Sequence, residues 1–254
     1  MYESHSLFIQ PDNEDIKIWR YMDFTKFISL IDTSKLFFTR GDNFDDPLEG
    51  SWPKKNVEER ANISYKLLID DPKKHIEAVS NTMKKFSKYF AINCWHENEY
   101  ESAAMWKLYL KSNEGIAIQS NYRQFKESII DEEKVYIGKV KYIDYETDYI
   151  RSHNSFSAFL HKRKSFEHEK EIRAIINKFL IEEDPNSDFD NLNLDKETII
   201  NGLPILVDLK ILIQNIYISP STPIWFSDLV GKVIKKYGYD FNIVHSQIYS
   251  SPLF

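Results

Sequence analysis

The chain has 254 residues, of which 42% are hydrophobic and 15% aromatic, enough apolar area for a packed core and too much for a disordered chain. A net charge of −6 and a sequence pI near 5.7 exclude a wholesale basic surface for nucleic acid. Seven glycines and a single cysteine, Cys94, exclude a glycine-rich phosphate loop, an internal disulfide and a CxxC zinc site.

In chain order, "IKIWRYM" (residues 16–22) is rich in β-branched and aromatic residues and predicts a first strand. Phe24, Phe27, Ile28 and Ile31 then fall at helical spacing behind Asp23, an N-cap residue type. "KLFFTR" predicts a second strand that ends in the turn-rich "GDNFDDPLEG". Residues 53–88 are highly charged with helical spacing, and an Asp-Asp-Pro break at 70–72 divides them into two helices. "YFAINCWHE" predicts a buried strand, with Cys94 as a small core hydrophobe, and "ESAAMWKLYLKS" a short helix. "GIAIQS" comes next as a strand and "NYRQFKESII" as a helix.

The alternation of residues 134–145 predicts one long strand, half exposed as in an antiparallel sheet. "DYIRSHNSFSAFLHKRKSF" predicts a helix and "KEIRAIINKF" a strand. Residues 181–195, acidic and polar, predict a surface excursion. "PILVDL" and "NIYISPS" predict strands, "WFSDLVGKVIKKYG" a helix and "FNIVHSQI" a closing strand.

Strands and helices mix without regular alternation. The expectation is therefore an α+β fold, helices packed on a mixed and mainly antiparallel sheet, in a single domain (residues 1–254) with a helical insertion at about 53–88. The N-terminus has no basic stretch before an apolar one, and no apolar run reaches membrane-spanning length. The expectation is a soluble, cytoplasmic protein without a membrane partner.

Three stretches carry groups suited to chemistry. In "FFTRGDNFDDPLEGSW", Asp45, Asp46 and Glu49 cluster around Pro47. Asp-Pro starts turns and Asp46 caps the residues after it; equally, the rigid turn points Asp46 and Glu49 into a cleft, toward a ribose hydroxyl, a base edge or a metal. Arg40 sits just upstream at a strand end, where a guanidinium holds a phosphate through two bonds. In "ESAAMWKLY", Ser102, Trp106 and Tyr109 share one helix face, as core packing or as the wall of a planar ligand with a hydroxyl near the helix N-terminus.

In "SFEHEKEIRAII", Glu169, Glu171 and Arg173 share one strand face at period two, with Ile172 and Ala174 on the other. They are ion pairs across a sheet surface or carboxylates at the mouth of a site. Lys162, Arg163 and Lys164, just before, would neutralise an anionic ligand. The seven histidines are scattered, with no HExxH and no paired helical spacing.

The same stretches carry a resemblance. The chain is similar to a widespread bacterial domain family of uncharacterised activity, whose members open with an "hYrh" strand. They carry an "F-N-D-P-x-E" turn, then "C-x-S…MWxxYxxxxxGhxI", and later "K…hxxExEhR". Here these read "WRYM" (19–22), "FDDPLE" (44–49), the span from Cys94 to Ile118, and "KSFEHEKEIR" (164–173), in that order along most of the chain. Asp45 stands where the family has Asn, which removes an amide donor at that position.

The chain also resembles the ADP-ribosyltransferase superfamily, which includes toxins that modify nucleic acid. That resemblance implies a split antiparallel sheet, an early Arg or His on the first strand, aromatics against nicotinamide and a late catalytic Glu, sometimes in a Glu-x-Glu pair. Carried onto this sequence, Glu171 is the catalytic carboxylate and Glu169 the second. Arg20 and Arg40 bind the phosphates of NAD, and Tyr109 or Trp106 is the aromatic. Tyr21, Asp46, Glu49, Ser102, Lys164 and Arg173 complete the implied binding set. NAD is the implied substrate and no metal is needed. The same resemblance implies a toxin or phage-defence effector, a nucleic acid or protein acceptor and an antitoxin or regulatory partner. Two other readings stay open. One is a magnesium-dependent nuclease built on Asp45, Asp46, Glu49, Glu169 and Glu171 with Lys164. The other is a non-catalytic module that binds a nucleotide or a partner.

Overall fold

The computed structural model describes residues 1–66, 71–110, 114–151, 154–179 and 198–252. The predicted surface excursion at 181–195 lies outside the described residues.

The first strand, β1 (Lys17–Asp23), leads into helix α1 (Phe24–Thr33), which returns to β2 (Lys35–Arg40). Asp23 caps α1 by accepting from the Lys26 amide at 2.9 Å, and Ser34, left-handed at φ 54°, ends it. Asp23→Ala is expected to cost about 1 kcal/mol and lower the melting temperature by roughly 2–4 °C, read by circular dichroism. Helices α2 (Lys54–Lys66) and α3 (Pro72–Phe86) then pair, with Asp71 capping α3 and Pro72 in its first turn. Strands and helices then alternate as expected through β3 (Phe90–Glu97), α4 (Ala103–Tyr109), β4 (Gly115–Asn121) and α5 (Tyr122–Ser128).

The long strand expected at 134–145 is broken at Val140 into β5 (Tyr136–Lys139) and β6 (Lys141–Ile143). The amide of Val140 donates to Glu171 and that of Lys141 to Leu160, so the chain changes partners there. Among the described residues of 148–166 the expected helix does not form. Ser155–Phe159 makes a 3-10 turn capped by Asn154, β7 (His161–Arg163) pairs in parallel with β6, and Lys164–Glu169 makes a second 3-10 turn. Phe156, Phe159 and Leu160 are buried in an aromatic cluster with Phe8 and Phe90, and this tertiary packing overrides the helical pattern. The chain closes with β8 (Glu171–Asn177), β9 (Gly202–Leu206), the single turn α6 (Leu209–Leu212), β10 (Asn215–Ile218), α7 (Ile224–Lys236) and β11 (Asn242–His245).

The fold is α+β. Among the described residues nine strands form one mixed sheet, antiparallel except for β10 with β11. Strand β8 covers one edge of β3 from Phe90 to His96. On the other edge two strands share β3: β1 pairs at Trp19↔His96 and Ile18↔Glu97, and β2 at Thr39↔Ile92 and Arg40↔Ala91. Between these contacts β1 and β2 diverge, so the sheet forks opposite residues 93–95 of β3. The fork leaves backbone groups that need partners. The Cys94 carbonyl accepts from Arg20 Nη1 at 2.6 Å, and Asn93 donates its side-chain amide to the Phe37 carbonyl at 2.9 Å.

The two faces of the sheet differ. Ile18, Met22, Leu36, Phe38, Trp95, Ile172 and Ala174 face the main core, which α1, α5, α6 and α7 cover. Trp19, Tyr21, Cys94, His96, Glu171 and Arg173 lie on the opposite face, as the registers Trp19↔His96, Cys94↔Arg173 and His96↔Glu171 require. The candidate site is at the fork, where Cys94, His96 and Glu171 of that face meet Arg20, which falls between Ile18 and Met22 on β1 and shares their side of the strand.

Candidate functional site

A cavity of about 600 Å³ fills the fork. This volume is typical of small-molecule sites. Its walls come from β1, β2 and β3, from the α1 face at Lys26, Ser29 and Leu30, from the turn holding Phe44, Asp45, Asp46 and Glu49, and from Leu108 and Tyr109 of α4. Lys162, Phe166, Glu169 and Glu171 close it. The early arginine strand, the acidic proline turn and the late glutamates therefore converge on one concave site.

Glu169 is not on the strand. It ends the 3-10 turn before β8, and Lys170, left-handed at φ 41°, reverses the chain between the two glutamates. A buried lysine joins them. Lys162 Nζ is 2.6 Å from Glu169 Oε2 and 2.6 Å from Glu171 Oε1, and it lies 4.6 Å over the Phe166 ring. Arg173 Nε donates to Glu171 Oε2 at 2.6 Å.

This arrangement pushes the two carboxyls apart. Burial alone would raise Glu171, but Arg173 and Lys162 prevail and hold it well below the usual carboxylate range. Burial raises Glu169 to about 7; the hydrogen bond and the charge of Glu171 add to the rise, and Lys162 opposes it. Near neutral pH the site thus holds one firmly ionised carboxylate beside one that exchanges a proton.

Arg20 is the counterpart. Half-buried, it lines the cavity and donates to the Cys94 carbonyl, yet among the described residues no carboxylate lies within ion-pair distance of it. Tyr109 stands between the two groups. Burial pushes its hydroxyl up, Glu169 and Glu171 add to that, and Arg20 opposes it.

The other expected site residues divide into cavity walls and supports. Tyr21 and Asp46 line the cavity; Tyr21 accepts from the Ser102 amide at 2.7 Å, and Asp46 is held by Arg163 at 2.7 Å. Trp106 and Ser102 stand behind: the Trp106 ring packs edge-on against Tyr21 with centroids 4.9 Å apart, and Ser102 caps α4. Glu49 lines the cavity but is gripped through both oxygens by Arg173. Arg173 itself is fully buried, with Glu49, Glu171 and the Phe159 carbonyl as partners. It orders carboxylates and has no reach to a phosphate.

Arg40 lies outside the cavity, locked by two bonds to Asp42 and one to the Ile199 carbonyl. Lys164 is exposed, 3.9 Å from Asp148. The lysine at the carboxylates is Lys162, two residues earlier, because β7 turns alternate side chains inward. The basic run marked the region, but only the strand assignment selects Lys162. His96 is likewise placed by the fold. It lines the cavity with Nδ1 2.6 Å from the Glu169 carbonyl oxygen, and burial lowers its pKa.

The carboxylates gathered by the magnesium reading are mostly committed to protein cations: Asp46 to Arg163, Glu49 to Arg173, Glu171 to Arg173 and Lys162, and Glu169 to Lys162. Among the described residues no three His, Cys, Asp or Glu side chains group as a metal ion would require. No helix of the described residues is long and apolar enough to cross a membrane.

No protein-family model matches the chain, and no curated protein matches it in sequence. Among solved structures it is similar to Thermus sp. 2.9 DarT in complex with ADP-ribosylated ssDNA, at 9% identity and a TM-score of 0.39, over 94% of this chain and 97% of that chain.

Proposed function

We propose that the chain is an NAD-dependent ADP-ribosyltransferase. The observation that carries the reading is one cavity holding a half-buried arginine without a carboxylate partner and a buried, ionised glutamate. A cation held away from water without a counter-ion is costly, and an anionic ligand relieves that cost. The remaining donors of Arg20 would take the pyrophosphate of the donor. Tyr21 and Tyr109 offer aromatic walls for its planar base.

NAD would supply the ADP-ribosyl group, with nicotinamide as leaving group and positive charge developing on the ribose. Glu171, ionised in the cavity, would face that charge; its two oxygens are fixed by Lys162 and Arg173 and keep lone pairs for a ribose hydroxyl. Glu169, poised near 7, would accept the acceptor's proton. The acceptor is a nucleic acid or a protein, and toxin, defence and antitoxin roles belong to this same reading.

Incubating the protein with labelled NAD and RNA, DNA or cell lysate is expected to yield labelled acceptor and free nicotinamide. No turnover together with no NAD-induced thermal shift overturns the proposal. The pH dependence comes from Glu169. Its pKa is raised from 4.5 to about 7, so the base form is lost below about 7, and transfer should fall about tenfold per pH unit on that side. Glu169→Gln should lower the rate and abolish this acid limb. An unchanged limb in the variant would assign it to another group.

A further inference from the structure

The face that carries Glu171 continues onto β2. Thr39 pairs with Ile92, so Lys35, Phe37 and Thr39 lie on the same side of the sheet as Cys94 and Glu171, while Leu36 and Phe38 turn to the core. All three line the cavity, as does Lys26 of α1.

Phe37 is unlike the other rings of the site. It is 49% exposed although its strand is central to the fork. Its ring lies across Gly202 of β9, where a Cβ would fall 2.5 Å from the Phe37 Cζ. A Cβ there would also fall 2.3 Å from the Phe38 carbonyl oxygen, so glycine serves both the close approach of the two strands and the ring that lies over them. Lys35, next on the same face, is exposed, forms no direct salt bridge among the described residues and has Asp131 as a carboxylate that feels its charge.

We propose that Phe37, laid over Gly202, is a stacking platform for a base of a single-stranded nucleic acid, with Lys35 contacting the backbone phosphate beside it. An exposed ring next to a cation is the pairing that single strands use: the π-face accepts any unpaired base and the charge tracks the backbone. A duplex keeps its bases stacked inside and offers no face to Phe37. The platform leads along one sheet face toward the carboxylate pair, so a strand bound there would present an acceptor group to Glu169. In this respect the inference rests on the transferase reading, but its test does not use NAD.

The test is fluorescence anisotropy with a short labelled single-stranded oligonucleotide, as DNA and as RNA, in the absence of NAD. Phe37→Ala is expected to weaken binding of the preferred strand about tenfold to a hundredfold, and Phe37→Tyr to retain it. Lys35→Ala is expected to lower the slope of log K against log salt by about 0.7. Trp225→Ala, which removes an exposed ring of α7 away from the cavity, is the control and should bind like the parent. Melting temperatures near that of the parent confirm that each variant is folded. Equal affinity of Phe37→Ala and the parent, or of duplex and single strand, overturns the platform. NAD turnover with no oligonucleotide binding overturns it while leaving the transferase standing. Binding without NAD turnover does the reverse.

Discussion

Glu171→Gln is expected to reduce ADP-ribosyl transfer by about a hundredfold to ten-thousandfold while leaving the protein folded. The substitution keeps the shape of the side chain and removes the charge. In the parent that charge is buried and held ionised by Arg173 and Lys162, where water screens it little. A neutral amide there leaves the developing positive charge on the ribose unopposed. The change also reaches Glu169, whose pKa is raised partly by the charge of Glu171. With that charge gone and Lys162 still 2.6 Å away, Glu169 should ionise at lower pH, and the acid limb of residual activity should move down. Quantifying labelled acceptor against pH, with circular dichroism as the control for folding, checks both parts. Transfer at the parent rate by a folded Glu171→Gln protein would remove Glu171 from the mechanism.

The second large effect is on stability. Arg173→Met is expected to destabilise the fold by about 3–5 kcal/mol, a fall in melting temperature on the order of 10 °C for a chain of this size. Arg173 is fully buried and its guanidinium serves Glu49, Glu171 and the Phe159 carbonyl. Without it, Glu49 and Glu171 remain in the interior with less or no compensation, and the carbonyl loses a donor. Arg173 lowers the pKa of Glu171, so the loss should be largest at high pH and smaller in acid, where Glu171, freed from Arg173, takes a proton more readily. Adding Glu49→Gln should recover part of the stability, because it removes one of the stranded charges. A loss below about 1 kcal/mol at neutral pH would mean that the buried network is not what holds the acidic turn to β8.

These two residues show what a pattern of letters conveys. Glu171 and Arg173 stood out because charged side chains alternated with isoleucine and alanine along a strand, and charge on a buried strand has to be paired. The roles then separated for a reason no local pattern contains. Arg173 faces inward against Glu49, more than a hundred residues earlier in the chain, whereas Arg20 opens to the cavity without such a partner. Arg40, which has the same strand-end setting as a phosphate ligand, is occupied by Asp42, two residues away. The basic run pointed to the right region, but choosing Lys162 over Lys164 needed the knowledge that residues 161–163 form a strand. The helical pattern of residues 148–166 concealed it, because Phe156, Phe159 and Leu160 are spaced for a helix yet are claimed by the Phe8 and Phe90 cluster.

The sequence by itself determined the local elements that carry strong periodicity or caps, such as α1 behind Asp23, α3 behind Asp71 and the apolar core of β3, and with them the α+β class. It also determined which stretches hold an unusual density of charge. The tertiary structure alone decided that β1 and β2 share one edge of β3 and leave a fork, that the acidic turn meets β8 there, and which cations are spent on partners. The reason is physical: propensity and capping act within a few residues, whereas a cavity and the pKa of the groups lining it are set by burial and by charges brought together across the whole length of the chain.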